Sequence, residues 1–247
     1  MTRAASRLGA TPKAVATRES DHWFTFAWDY LRVNFWEYVQ SRQELLRFEF
    51  LQHASMVFQC LVVAAVVGVA IGIATYRYPP IATLATNAAG VIFTIPALAL
   101  LGLLIVPLGF GVAPTVTALV LYGLLPIVRN TIVGLQGVDR VLIDAARGIG
   151  MSRTRILLRV ELPNAWPVIL TGIRVSTQLT MGIGAIAAYA SGPGLGDQIF
   201  SGLSRLGGTG ALQAVIAGVV GVAVLALIFD AVFVLIGRLT TSRGIRV

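Results

Sequence analysis

The chain has 247 residues, of which 56% are hydrophobic and only 12% charged, and its mean hydropathy is +0.82. A water-soluble fold of that size needs far more polar surface, which excludes a pair of ordinary soluble domains. The formal charge is +8, but the basic residues gather in loops beside apolar runs and lack the aromatic-interleaved patch of a nucleic-acid binder; no nucleic-acid partner is expected.

In chain order, residues 1–20 lack the apolar stretch of a signal peptide and are expected to form a disordered tail. Trp23, Phe24, Phe26, Trp28, Tyr30, Phe35, Trp36 and Tyr38 then fall within a stretch too charged to span easily. They predict an interfacial amphipathic helix, so that residues 1–52 lie outside the bundle. Apolar runs follow at Ala54–Ala74, Ile81–Val106, Val112–Val128, Ala165–Ala188 and Leu212–Ile236. A bilayer core of about 30 Å takes about 20 apolar residues at helical rise. The first two runs carry no charge, the fourth carries Arg174 and the fifth Asp230. The runs are apolar on every face, unlike the alternating strands of a membrane barrel. The expected fold class is therefore all-α, a polytopic membrane bundle of about five transmembrane helices. Residues 53–240 form it, with a large loop at 139–165, and residues 241–247 are a basic C-terminal tail.

Sidedness follows from the arginines. The segment from Arg129 to Arg174 holds seven of them against Asp139, Asp144 and Glu161, as expected of a cytoplasmic loop. Counting crossings outward puts the N-terminus outside and Arg238, Arg243 and Arg246 inside. Cys60 is the only cysteine, so no disulfide can form within the chain. His22 and His53 are far apart and outside the long apolar runs, so no metal site is expected. The only lysine, Lys13, follows Pro12, which leaves no phosphate-binding loop and no ATP site in this chain. No catalytic residue or cofactor is expected.

The large loop predicts two short helices with a break. Val141, Leu142, Ala145 and Ala146 can form a small apolar face edged by Arg140 and Arg147. Gly148 and Gly150 permit the positive φ that ends a helix. Ser152 is a candidate N-cap, and Pro163 is expected to stop the second helix before the chain re-enters the membrane. This stretch resembles the EAA loop of binding-protein-dependent ABC importer permeases: Glu-Ala-Ala, three residues, Gly, nine residues, Ile, one residue, Leu-Pro. Asp144, Ala145, Ala146, Gly150, Val160, Leu162 and Pro163 occupy its positions. Asp replaces Glu and Val replaces Ile, both keeping charge or shape.

The resemblance extends to Phe93–Gly102, Tyr122–Gly134 and Gly192–Gly196, which look like the osmoprotectant branch of these importers. It implies a type I, methionine-permease-like fold in a bacterial inner membrane. Its partners would be a pair of ABC ATPase subunits carrying ATP and Mg, a second permease (this chain or a paralogue) and an extracytoplasmic solute-binding protein. The motif positions would dock the ATPase. The solute would be glycine betaine, choline, carnitine or a related quaternary amine, with methionine or another small solute as the alternative. A lone secondary transporter, which usually has more spans and more intramembrane charges, fits the loop less well.

Candidate pathway or gate residues are Thr94, Pro96, Asn130, Gln178, Gly192, Gly194 and Asp230, with Asn87, Thr180 and Pro126 beside them. Each has a plainer structural alternative: interhelical hydrogen bonding for the polar groups, packing for the prolines, a membrane-boundary anchor for Arg129-Asn130, a tight turn for the glycines. Asp230 lies eight residues before Arg238, about 12 Å at helical rise, close to the cytoplasmic end, where a structural ion pair or an interfacial role is the alternative to a direct part in transport.

Overall fold

The computed structural model describes residues 35–240. The 1–20 tail, the first part of the expected interfacial helix and the 241–247 tail lie outside the described residues. Among the described residues there are helices and no strands. They are α1 (35–41), α2 (Gln43–Thr75), α3 (Pro79–Thr94), α4 (Ala97–Leu108), α5 (Val112–Gln136), α6 (Arg140–Gly148) and α7 (Arg153–Ile156). After a π turn at Leu157–Glu161 come α8 (Leu162–Ile186), a 3-10 turn at Ala187–Ala190, α9 (Gly196–Ser204) and α10 (Ala211–Thr240).

Four stretches are long and apolar enough to cross a membrane: α2, α5, Arg153–Ala190 and α10. The run expected as a single second span is instead broken, with α3 and α4 meeting at 94°. Pro96 is the cause. It disfavours the helical conformation at the residue before it, and Ile95 is extended, with φ −74° and ψ 127°. The freed carbonyl of Ile95 accepts a hydrogen bond from the Tyr122 hydroxyl on α5, and Phe93 meets the Tyr122 ring edge-on at 5.8 Å. The bent pair still crosses. It leaves the end of α2 at Tyr78, and the turn after it is pinned by the Gly111 N–H donating to Ala190 O at 2.8 Å, at the far end of the α8 stretch. Counted as one broken span, the bent pair brings the candidate crossings among the described residues to five. Tyr122→Phe should cost about 1 kcal/mol, because the partly buried Ile95 carbonyl loses this donor; a melting curve of the purified chain in detergent checks this.

The center of the bundle is α5, packed between α2 and α8. One buried cluster includes Val57, Cys60, Leu101, Leu119, Met181 and Leu225. A second, nearer the large loop, includes Tyr76, Val128, Ile132, Leu135 and Ile169. Small residues let the backbones close in, as membrane helices require. A Cβ on Gly72 would stand 2.5 Å from the Thr131 methyl, and one on Gly172 would stand 2.8 Å from Pro126 O.

Several boundaries differ from the sequence expectation. Helix α2 starts at Gln43, so it runs through the expected boundary at 52. Its first turns bury Glu49 and His53, at 6% and 0% exposure, rather than lying on a membrane surface. His53 is thus inside a crossing helix, although the apolar run begins only after it. Pro163 does not stop a helix; it occupies the first turn of α8, where a missing N–H is tolerated. The π turn before it absorbs the change of register, with the Leu162 N–H donating to Leu157 O. Helix α9 fills part of a loop expected to be only a turn.

Candidate functional site

At one end of the bundle stands the 139–165 loop. Asp139 caps α6, its carboxylate accepting from the Val141 N–H at 2.9 Å, and the acid also suits the helix dipole. Val141 and Leu142 are 71% and 45% exposed, and Ile149 is 80% exposed. Ala145 joins this outer surface, but Ala146 does not: it is buried, and Ile143 packs inward beside it. The expected four-residue apolar face is therefore split. A helix turns about 100° per residue, so 143 and 146 share one face while 141, 142 and 145 share another. Gly150 has φ +81°, and Ser152 caps α7 by accepting from the Arg155 N–H at 3.4 Å. Arg140, Arg147, Arg153, Arg155 and Arg159 are all exposed. Asp144 pairs with Arg147 at 3.1 Å in full view of solvent, a contact worth little by itself.

The loop is tied to the bundle through Glu161, which lies between motif residues Val160 and Leu162. Its carboxylate is 5% exposed; it accepts from the Tyr76 hydroxyl at 2.7 Å and from the Arg77 guanidinium at 3.1 Å. Burial pushes the Tyr76 phenol up to about 12, and the adjacent carboxylate acts in the same direction, so Tyr76 keeps its proton and stays a donor. Gln136, ending α5, donates to Tyr76 O at 2.9 Å. The residues that follow α2 thus bind the start of α8 through the Glu161 carboxylate and the end of α5 through the Tyr76 carbonyl. Val160 and Leu162 are half-buried beside it, and Pro163 is exposed.

At the opposite end, the Gly192–Gly196 turn rests on α2. The Gly192 N–H donates to Ala187 O at 2.9 Å. Gly194 has φ +116°, and a Cβ there would stand 2.7 Å from His53 Cβ. Gln198 on α9 donates to Glu49 at 2.9 Å and accepts from Tyr38 at 2.8 Å. His53 Nε2 lies 3.3 Å from Met181 O. Since a carbonyl only accepts, Nε2 carries the proton.

Midway, Arg174 on α8 pairs with Asp230 on α10, the second guanidinium contact being 2.7 Å, and Gln178 donates to the same carboxylate at 2.9 Å. Asp230 is thus in an ion pair, and its partner is a residue on another helix, 56 positions away. The remaining candidates are dispersed. Thr94 Oγ1 donates to Val91 O within its own helix. Asn130 donates to Pro126 O at 2.7 Å and abuts Gly172, turned toward α8. Thr180 is buried and bonded to its own helix. Pro126 lies inside an unbroken α5. Asn87 lines a cleft of about 270 Å³ with Thr83, Thr86, Arg129 and Gln136. Among the described residues, no three His, Cys, Asp or Glu side chains converge to hold a metal.

Comparison with known proteins places this arrangement. A model of the family described as binding-protein-dependent transport system inner membrane component matches residues 64–242. The carnitine transport permease protein OpuCB of Listeria monocytogenes is 36% identical over 179 residues, covering 72% of this chain and 80% of that protein. The choline transport system permease protein OpuBB of Bacillus subtilis is 34% identical over 210 residues, 85% of this chain and 95% of its own. The osmoprotectant import permease protein OsmW of Salmonella typhimurium is 39% identical over 201 residues, 79% of this chain and 91% of that protein. Among solved structures, an inward-facing form of the MetNI methionine ABC transporter aligns with a TM-score of 0.68 at 20% identity. It covers 82% of this chain and 99% of that one, a likeness of fold.

Proposed function

The chain belongs to the binding-protein-dependent transport system inner membrane component family, the membrane permease subunits of ATP-driven importers, and we propose that its solute is a quaternary-amine osmolyte. In this family the ATP is hydrolysed by a partner ATPase, so the chain is a transport subunit and not an enzyme. The relatives support the solute class, since their names specify carnitine, choline or osmoprotectants. Methionine rests on fold likeness at 20% identity alone.

The observation that carries the coupling reading is the exposed surface of α6: Val141 and Leu142 projecting among arginines, in register with the EAA pattern. Asp144, Ala145, Ala146, Gly150, Val160, Leu162 and Pro163 form the docking segment, with Ala146 acting as packing beneath it. An apolar knob ringed by positive charge fits a groove with an acidic rim on an ATPase. Two ATPase subunits, with ATP and Mg, act on two permeases of this kind, copies or paralogues, and a solute-binding protein delivers from outside. The 139–165 loop and the C-terminus face the cytoplasm, and the N-terminus lies outside. ATP-driven closure moves the docking helices, and Glu161 passes that movement to α2, α5 and α8 as a rigid-body change between outward and inward access. The bend at Thr94–Pro96 and the Gly192–Gly194 turn are the gates, Asn130 holds α5 against α8, and Gln178 and Asp230 line the route.

The test is ATPase activity of the complete complex in proteoliposomes. Binding protein loaded with glycine betaine should stimulate it. Gly150→Trp should abolish that stimulation while the complex still inserts and assembles, because φ +81° strains any side chain there and the indole would lie at the docking surface. Stimulation by another solute alone would overturn the osmolyte; full stimulation of the variant would overturn the docking segment.

A further inference from the structure

We propose that Arg174 and Asp230 form a transit site for a small zwitterion, Arg174 taking its carboxylate and Asp230 its ammonium group. The inference rests on the importer reading above and adds the site and its charge selectivity.

Depth comes first. Trp166 donates to Thr240 at 2.7 Å, tying α8 to α10 at the end bearing the docking loop. Arg174 lies eight residues beyond Trp166 and Asp230 ten before Thr240, rises of about 12 and 15 Å, which reach the middle of a 30 Å hydrocarbon layer. A charge at that depth, whether Arg or Asp, is costly against acyl chains and occurs where it meets protein or water. Yet 42% of the Arg174 side chain and 24% of the Asp230 side chain are exposed in this chain.

The surroundings indicate water. Beyond the first turn of α8 the exposed positions are Thr171, Val175, Gln178 and Gly182, and the partly exposed Arg174 lies between them. Their spacings of four, three and four put them on one stripe of mostly polar or small residues. The exposed face of α10 is different: Val224, Leu227, Ile228, Val232 and Leu235, a surface suited to lipid. The two charges stand at the border between these faces, with Gln178 bonded to Asp230.

Chemistry then selects the ligand. Empty, the site is neutral, each charge satisfied by the other. A zwitterion can replace that pair charge for charge, so neither group is left bare as the solute enters. A solute with only a positive charge would leave Arg174 without an anion and should pass less readily.

The experiment uses the full complex in proteoliposomes. Arg174→Gln should shift the ratio of glycine betaine to choline uptake, each delivered by its loaded binding protein, about tenfold toward choline, the value of one charge-assisted contact. The double variant R174Q/D230N leaves no orphan charge; its melting temperature should stay near wild type while glycine betaine uptake falls about tenfold. Recovery of wild-type uptake in that double variant would show a purely structural ion pair and overturn the proposal. If the double variant fails to fold, Gln178→Cys in a Cys60→Ala background decides. Reaction with a membrane-impermeant charged methanethiosulfonate, slowed by glycine betaine during turnover, supports the site, and absence of reaction overturns it. A wild-type complex that moves neither solute would instead sink the osmolyte reading itself.

Discussion

Alanine in place of Glu161 should destabilise the complex by about 2–4 kcal/mol and sharply reduce the ATPase response to loaded binding protein. The carboxylate is 5% exposed and accepts two hydrogen bonds, and a buried charged acceptor removed from its donors leaves them unsatisfied. Most of the loss should come from Tyr76, which is itself buried. Arg77, with 38% of its side chain exposed, contributes less because water screens it. Glu161→Gln keeps an acceptor for Tyr76 and loses only the charge, so it should lie between wild type and alanine. Melting curves measure the first effect, and ATPase stimulation at a temperature where both proteins are folded measures the second. Stimulation unchanged in the alanine variant would mean that the docking loop transmits its movement by another route.

Gly196→Ala should be more damaging to the fold than any other single methyl added in the turn facing α2. A Cβ there would stand 2.1 Å from Ala185 O and 2.8 Å from the Ala185 carbonyl carbon. Both are backbone atoms and cannot rotate away, so the strand of chain between α8 and α9 must move, at a cost of about 3 kcal/mol or more. Gly207→Ala is the control. It adds the same methyl in a loop where nothing lies within 4 Å, and only its φ of +87° is unfavorable, about 1 kcal/mol. Comparable melting temperatures for the two variants would show that the turn is not packed as described.

The proposed docking segment is legible in its residues. Asp144, Ala145, Ala146, Gly150, Val160, Leu162 and Pro163 stand at fixed spacing, and Ser152 has the side chain of a cap, all local properties of a linear pattern. Glu161 is the only acid near the return to the membrane, but no local pattern marks it out. Its meaning depends on Tyr76 and Arg77, 85 and 84 positions away. The same reason explains His53. It precedes the first uncharged run by one residue, so hydropathy left it outside, but Gly194 and the Met181 carbonyl enclose it. For Asp230, the sequence offers only its distance to Arg238 on the same helix, which says nothing of Arg174 on another.

The sequence by itself determined the membrane-spanning character, the five crossings, the position of the large basic loop and the family resemblance, because these depend on the composition of short windows and on fixed spacing. Tertiary structure alone decided that Ile81–Val106 bends at Pro96, that Glu161 binds Tyr76 and Arg77 beyond the end of α2, and that Arg174 on α8 meets Asp230 on α10. Hydrophobic burial is nondirectional and can be read from one segment. Hydrogen bonds and ion pairs are directional and short-ranged, so their partners are fixed only once the helices have packed.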